Sequence, residues 1–371
     1  MSTLNRTTLW IVVVFLLLLL PFAFFASSVR AMGYGGGGGN GGGNAGGNKN
    51  NSSSSFNQPG NILISDQFNN RVIEIDPNSK SIVWSFGTGN STNCNPGPGS
   101  IIGSNDAERL ANGLTVMAGT GIPSNTVPGL PNGCADNRVI VVDQNGGIVW
   151  QYGQAGQTGN GTNLLNVPVF VIQLPNQDFM IVDQGNGRVI EVIGQKNIVW
   201  SYGGLNNPNS AELLPNGNIL IADENNNRTI EVNRAGQIVW QYDQGLKFAA
   251  FASRLPNGNT LITDSGHARI IEVNPSNQIV WQYSTNATNG NSNPLPTNAV
   301  RSSNGDTVIS DQFNNRLLIL DQNKNVIFQY GQTNTPGVGP NQLYGPYTAY
   351  VIGDYTGQTM PPSNGLPMPE F

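Results

Sequence analysis

The chain has 371 residues, of which only 11% are charged, with a formal net charge of −5 and a pI of about 4.9. A chain of this length can bury a large core. The acidic balance and the lack of a basic stripe argue against a nucleic-acid partner, because such proteins neutralise phosphates with clustered Lys and Arg.

The N-terminal region has the pattern of an export signal. Residues 9–25 are an almost unbroken apolar run, preceded by Arg6 and followed by small residues suited to signal peptidase. We expect residues 1–31 to be a signal peptide cleaved near Ser28 or Ala31, or a retained signal anchor. The protein is then predicted to be extracellular or at the cell surface, and to contact a membrane only through this segment if it is uncleaved.

Low-complexity segments flank the central part of the chain. Residues 32–59 are mostly Gly, Asn and Ser, and no predicted strand precedes the glycine run, so we expect a flexible linker rather than a phosphate-binding loop. Residues 358–371 are rich in Pro and are predicted to form a tail.

A unit of about 40 residues recurs six times between these segments. Its clearest copy predicts strands at 219–222, 228–232 and 238–242, preceded by a strand that ends in a Pro-Asn-Gly turn. Two markers recur, an Arg that opens the third strand and an aromatic residue in the fourth: Arg71, Arg138, Arg188, Arg228, Arg269 and Arg316, and Trp84, Trp150, Trp200, Trp240, Trp281 and Phe328. This period with four short strands is typical of a β-propeller blade.

The first copy lacks an inner strand, and a matching segment stands alone at residues 348–353. A C-terminal strand that completes the N-terminal blade would close the ring and remove an exposed edge. We therefore predict an all-β, six-bladed β-propeller over residues 60–357, with the first blade completed by the C-terminal strand.

Loop lengths distinguish the two faces of the predicted ring. The inner-to-second turns are short and uniform, whereas the second-to-third turns and the blade-to-blade loops vary in length, so recognition is expected on this variable face. Cys94 and Cys134 both fall there, in one blade of an exported chain, which favours a disulfide over free thiols.

The second-to-third turns repeat an Asp-x-x-Asn-x-Arg motif. Because the motif recurs in nearly every blade, we interpret it as structural, with Asp capping the turn and Arg bridging towards a neighbouring blade. The alternative is a ring of carboxylates that binds Ca²⁺; otherwise no cofactor or metal is expected. His267 replaces Asn in the fifth copy and is the candidate catalytic base or nucleophile, although substitution in a variable turn explains it as well.

The inner strands suggest an anion site. Arg109, Arg254 and Arg301 occupy equivalent positions, with Glu108 and Glu212 one residue before two of the equivalent positions. If the three guanidinium groups face the central channel, they would bind a carboxylate, sulfate or phosphate. Alternatively, Arg109 pairs with a Glu and only fills the channel.

Three segments carry a family resemblance: Leu-Pro-Asn-Gly-Asn-x-Leu-Ile-x-Asp at 255–264, Asn-Asn-Arg-Val-Ile-Glu-Ile at 69–75 and Asp-Gln-Asn-Gly-Gly-Ile-Val-Trp at 143–150. They resemble the NHL and PQQ-like propeller repeats, and the chain is similar to arylsulfotransferase-type six-bladed propellers. That resemblance implies a nucleophilic His in the tunnel, for which His267 is the one available residue, without the further His of that family.

These observations favour an exported, non-catalytic binding or scaffold module that recognises a protein or glycan through its variable face. The alternative is an exported arylsulfotransferase-like or lactonase-like enzyme, with an anionic substrate held in the central channel by the three Arg and His267.

Overall fold

The computed structural model describes residues 55–362, and these form 24 β-strands in six four-stranded antiparallel sheets, the blades. The predicted export signal, the linker up to residue 54 and the tail from residue 363 lie outside the described residues. No helix within the described range is long and apolar enough to cross a membrane.

Each blade is listed from its innermost to its outermost strand. Blade 1 is β24 (Pro346–Val351), β1 (Ile62–Asp66), β2 (Arg71–Asp76) and β3 (Ser81–Gly87); blade 2 is β4 (Ser104–Arg109), β5 (Thr115–Gly119), β6 (Arg138–Val142) and β7 (Ile148–Tyr152); blade 3 is β8 (Pro168–Gln173), β9 (Phe179–Asp183), β10 (Arg188–Val192) and β11 (Ile198–Tyr202).

The remaining blades repeat the arrangement. Blade 4 is β12 (Pro208–Leu213), β13 (Ile219–Asp223), β14 (Arg228–Val232) and β15 (Ile238–Tyr242); blade 5 is β16 (Ala249–Arg254), β17 (Thr260–Asp264), β18 (Arg269–Val273) and β19 (Ile279–Ser284); blade 6 is β20 (Pro296–Arg301), β21 (Thr307–Asp311), β22 (Arg316–Leu320) and β23 (Val326–Gly331). Short 3₁₀ helices join the second and third strands of five blades: Gln67–Asn69, Gln184–Asn186, Glu224–Asn226, Ser265–His267 and Gln312–Asn314.

The ring closes as predicted. Strand β24 pairs antiparallel with β1, so that Ile62 lies opposite Val351 and Ile64 lies opposite Ala349. The ladder continues beyond the strand, where the Ile352 amide donates to the Asn61 carbonyl at 2.7 Å. A six-bladed, all-β propeller with a first blade completed from the C-terminus is therefore confirmed.

Burial explains the residue pattern of each blade. Second strands such as β13, with the sequence Ile-Leu-Ile-Ala-Asp, are buried on both sides because neighbouring blades cover both faces of the sheet. Outermost strands such as β15 lie at the rim, where Ile238 and Val239 remain exposed. The apolar core thus lies between the blades.

Trp84, Trp150, Trp200 and Trp240 each donate an indole hydrogen bond to the next blade. The indole Nε1–H of Trp150 donates to the Gly194 carbonyl of blade 3 at 3.0 Å, and that of Trp200 donates to the Arg234 carbonyl of blade 4 at 3.1 Å. Trp150 is fully buried and stacks on Phe179, with ring centroids 4.4 Å apart. These Trp residues thus pack between neighbouring blades.

Asparagine side chains fix the start of several inner strands. The Asn137 side-chain oxygen accepts the Val167 amide at 2.8 Å, and Val167 has a φ of 54°, which β-branched residues rarely adopt. Three further blade boundaries carry the same bond, in which the acceptor and donor are Asn70 and Gly103, Asn227 and Phe248, and Asn315 and Gly345. These bonds hold the blade-to-blade loops against the preceding blade.

A C-terminal strap, defined as residues 354–359, crosses one end of the central channel after β24. Asp354 accepts the Ser303 amide of blade 6 at 2.8 Å, and the Tyr355 hydroxyl donates to the Arg109 carbonyl of blade 2 at 3.2 Å. Thr359 is buried and its hydroxyl oxygen accepts the Leu213 amide of blade 4 at 2.9 Å. The predicted boundary between propeller and tail, at 357/358, falls inside this strap.

The interface between two neighbouring blades is called a seam. Replacing Trp150 by Ala should lower the free energy of unfolding by about 3–5 kcal/mol, because it leaves a cavity in the closed seam between blades 2 and 3. Trp200→Ala is the matched control, since Trp200 makes the equivalent indole bond but is only partly buried. Urea unfolding followed by circular dichroism measures both; equal losses would contradict the packing argument.

Candidate functional site

The central channel is lined by the inner strands and closed at one end by the C-terminal strap. Beneath the strap lies a cavity of about 20 Å³, and its walls include Asp106, Glu108, Glu212, Phe170 and Phe251. This volume is enough for roughly one water molecule. With the strap in place, the cavity does not accommodate an organic substrate.

The three predicted anion-binding arginines lie between blades instead of in the channel. Side chains alternate along a strand, so Arg109 and its neighbour Glu108 point to opposite sides. Glu108 lines the cavity, whereas Arg109 turns towards blade 1. The expectation that these guanidinium groups converge on the channel is wrong in its geometry, and anion binding by them remains an untested prediction.

Each of these arginines is held by a Glu and a Trp of the preceding blade. Arg109 pairs with Glu74 at 2.7 Å between Nη2 and Oε2, and its Cζ lies 4.8 Å from the Trp84 ring centroid. Arg254 pairs with Glu231 at 3.0 Å over Trp240, and Arg301 pairs with Glu272 at 2.9 Å over Trp281.

The Arg109 guanidinium is largely removed from water. This burial lowers the pKa of Arg109 to about 10, although the Glu74 carboxylate acts to raise it. The alternative prediction, that Arg109 pairs with a Glu, is the geometry observed. The three arginines are therefore seam residues, and an anion could reach them only if an ion pair broke.

Carboxyl groups of the inner strands line the cavity: Glu108, one residue before Arg109, Glu212, one residue before Leu213, and also Asp106. The Glu108 carboxyl accepts the Gln173 amide at 3.1 Å, and the Glu212 carboxyl accepts the Arg254 amide at 2.9 Å. Asp106 accepts the Val171 amide at 3.0 Å. The inner strand of each blade is an edge strand, so these side chains satisfy amides that no strand can pair.

The channel carboxyls bind protons unusually tightly. Burial raises the pKa of Asp106 to about 7 and that of Glu212 to about 8. The pKa of Glu108 is also raised well above its usual range, first by burial and further by the charge of Asp106. Strict two-residue alternation along β4 and β12 was the sequence signal that could have identified them.

The repeated rim turn has a structural role in each blade. In blade 4, one Asp223 oxygen accepts from Arg228 Nε and Asn226 Nδ2, at 2.7 and 2.8 Å, while the other accepts the Asn206 amide at 2.8 Å. The Asp thus joins its own turn to the loop that leads into the blade. Among the described residues, no group of three or more His, Cys, Asp or Glu is arranged to hold a metal ion; calcium binding stays an untested prediction.

Blade 2 rebuilds this turn from a different position. Gly119 stands where other blades have Asp, and the Asp136 carboxylate occupies the space that a Gly119 side chain would need. Asp136 pairs with Arg138 and accepts the Ile102 amide at 2.7 Å. The insertion in this blade therefore keeps the turn network while extending the loop.

His267 lies in the rim turn of blade 5. Its Nδ1 is 2.9 Å from Asp264 Oδ2, and its side chain is 44% exposed. It therefore takes the place of Asn226 in the equivalent turn, and it does not line the cavity beneath the strap. The structure does not bring His267 together with Arg109, Arg254 and Arg301; its catalytic role remains untested.

The variable face carries a disulfide next to an apolar patch. Cys94 and Cys134 are bonded, with Cα atoms 5.5 Å apart, as predicted. Cys134 packs against the variable-face patch, which consists of Phe68, Ile102, Ile122, Val127, Leu130, Phe313 and Tyr344. The last two are partly exposed and contact Phe68, at centroid distances of 6.2 and 5.3 Å. Sequence reasoning missed this patch because its members come from three blades.

Comparison with models of known protein families identifies the family of this chain. Residues 135–354, more than half of the chain, match the model of PQQ-like repeats described as outer membrane protein assembly factor BamB. The chain belongs to this family. A comparison with curated proteins gives no significant match.

The solved structures that are similar to this chain have low sequence identity to it. A protein of unknown function from Bacteroides caccae is 15% identical, with a TM-score of 0.54, and the match covers 73% of this chain and 93% of that one. Virginiamycin B lyase from Staphylococcus aureus is 13% identical, with a TM-score of 0.47, covering 75% and 85%. A streptogramin B lyase is 14% identical, with a TM-score of 0.46, covering 66% and 72%.

Arg301→Val should lower the free energy of unfolding by about 3 kcal/mol, because Glu272 then stays in the seam without a cation. The double variant Glu272→Ile/Arg301→Val copies the pair Ile319 and Val351, which occupies the equivalent place between blades 6 and 1. It should recover most of the loss in urea unfolding. If the double variant is as unstable as the single variant, the loss of stability does not come from an unpaired Glu272 in this seam, and the argument fails.

Replacing Cys94 and Cys134 by Ser should lower the free energy of unfolding by about 3–4 kcal/mol, as the chain-entropy relation gives for a separation of 40 residues. Chemical reduction of the unaltered protein is the control and should give the same loss. A double variant that unfolds at the same urea concentration as the unaltered protein would contradict this expectation.

Proposed function

We propose that this protein is an exported, non-catalytic scaffold that binds a protein partner through the variable face of its propeller. The observation that carries the proposal is the variable-face patch, where partly exposed aromatic and Leu side chains stand beside a disulfide. Aromatic anchors on a rigid support are typical centres of protein interfaces. The description of the family, an outer membrane protein assembly factor, supports a role among other proteins.

The first described residues of the chain also leave the variable face uncovered. The Asn57 amide donates to Glu74 at 2.7 Å, and the Phe56 ring lies 4.1 Å from the Arg109 guanidinium carbon. Both contacts lie on the short-turn face, opposite the variable face. The segment that leads into the propeller therefore leaves the variable face free.

The geometry gives less support to the enzyme alternative. An arylsulfotransferase-like or lactonase-like reaction in the channel would need the arginines, which are paired across the seams, and His267, which lies at the rim. It would also need room for a substrate beneath the strap. A glycan remains the second class of ligand for the variable face, and the experiment below separates it from a protein.

A photoreactive amino acid placed at Phe313 or Leu130 should form defined protein adducts in the cell envelope, while one placed at the exposed rim residue Val239 should not. For the partner so identified, Phe313→Ser and Leu130→Ser should weaken binding at least about tenfold, or ~1.4 kcal/mol each. Val239→Ser is the matched control and should bind normally.

Three results would overturn this proposal. Adducts that form equally from the rim position would remove the preference for the variable face. Unchanged affinity in both patch variants would remove the patch. Binding to a glycan array, lost in the same variants, would replace the protein partner with a carbohydrate.

A further inference from the structure

The C-terminal strap ties together blades that are not neighbours. It bonds to Ser303 in blade 6, to the Arg109 carbonyl in blade 2 and to Leu213 in blade 4. The Ser253 hydroxyl of blade 5 also donates to the Gly357 carbonyl. All these contacts are hydrogen bonds of polar groups, so water can replace each of them when the strap lifts.

Three carboxyl groups, each negatively charged when it ionises, form the floor of the cavity beneath the strap. Asp106, Glu108 and Glu212 line the same cavity as Gln358 and Thr359 of the strap. Each of the three carboxyls accepts a single backbone amide from the next blade, which is neutral. These residues are buried, so ionising them is costly, because like charges repel strongly where water is scarce.

The other charged and titratable groups near the cavity are already engaged. Arg109 and Arg254 pair with Glu74 and Glu231 across their seams. The remaining neighbours are acidic or phenolic groups on β24 and on the strap itself: Tyr347, Tyr350, Asp354 and Tyr355. The Tyr350 hydroxyl donates to Asp106, and Asp354 is held by Ser303. The Arg254 charge lowers the pKa of Glu212, but Glu231 acts in the opposite direction and burial outweighs both.

We propose that the C-terminal strap is a pH-dependent closure of the channel, which stays seated while Asp106, Glu108 and Glu212 carry protons and lifts when they ionise. Opening admits water to the floor and hydrates the carboxylates. The device does not depend on the proposed binding role of the opposite face.

The direction follows from linkage. Burial raises the pKa of Asp106 and Glu212 to about 7 and 8 while the strap is closed, and hydration in the open state returns them towards ordinary values. The closed state therefore binds protons more tightly than the open state. Protons stabilise the closed strap at low pH, and this stabilisation is lost as pH rises through the raised values.

Hydrogen exchange of the whole protein at pH 6 and pH 9, corrected for the intrinsic exchange rates, tests the proposal. The amides of Ser303 and Leu213 report on the strap, because they donate to Asp354 and Thr359. Their protection should fall roughly tenfold or more between the two pH values. The Ile221 amide, in the buried strand β13, reports on global opening and should not change.

The variant Glu108→Gln/Glu212→Gln keeps an oxygen for the Gln173 and Arg254 amides but cannot ionise. Asp106 still ionises in this variant, so its Ser303 and Leu213 amides should lose clearly less protection between pH 6 and pH 9 than those of the unaltered protein. If the double variant does not fold, Glu212→Gln alone should reduce the pH effect. Protection that is equal at both pH values, that falls as much in the variants, or that falls together with Ile221 would overturn the proposal.

Discussion

The pairing of β24 with β1 closes the ring, and this closure determines which partners the buried residues of every blade can find. Once the last strand pairs with the first, each blade has a neighbour on both sides, and the second strand of every sheet is buried on both faces. Buried polar groups must then find partners in an adjacent blade, because an unpaired buried group costs several kcal/mol. Glu74 meets Arg109, and Asn137 meets the Val167 amide, as consequences of that closure.

Closure also separates two kinds of surface. The short-turn face receives both the chain before β1 and the strap after β24, and their contacts occupy the mouth of the channel. The variable face carries the inserted loop of blade 2, its disulfide and the apolar patch around Phe68. The channel carboxyls and the apolar patch therefore lie at opposite ends of the ring.

Strand positions, ring closure and the disulfide were predictable because each depends on a local or repeated pattern. The predicted strands 228–232 and 238–242 coincide with β14 and β15. The direction of the Arg109 side chain was not predictable, because the repeat alignment gives the position of a residue along the strand but not the side of the sheet to which its side chain points. Comparison of blades held the missing information, since Arg109, Arg254 and Arg301 each follow a blade with Glu beside its Trp.

The strap and the patch could not be predicted in this way, because neither repeats. Residues 354–359 have no counterpart in another blade, so periodicity says nothing about where they lie. Their polar, Gly-containing sequence resembles that of a free tail. The patch joins Phe313, Phe68 and Ile102, which are far apart in sequence and become neighbours only when blades 6, 1 and 2 meet.

The seams between blades differ chemically, and this difference disfavours incorrect assembly of similar repeats. Four seams carry an Arg–Glu pair. In three of them the Arg lies on an inner strand, and in the seam between blades 3 and 4 Glu191 pairs with Arg234 of a hairpin instead. In the other two seams the equivalent places hold Val141 with Gln173, and Ile319 with Val351. A blade with an inner-strand Arg that docked against Val141 or Ile319 would bury this Arg without a partner, which costs about 3–5 kcal/mol. In the closing seam this place is apolar, so the last strand packs there without having to align a charge.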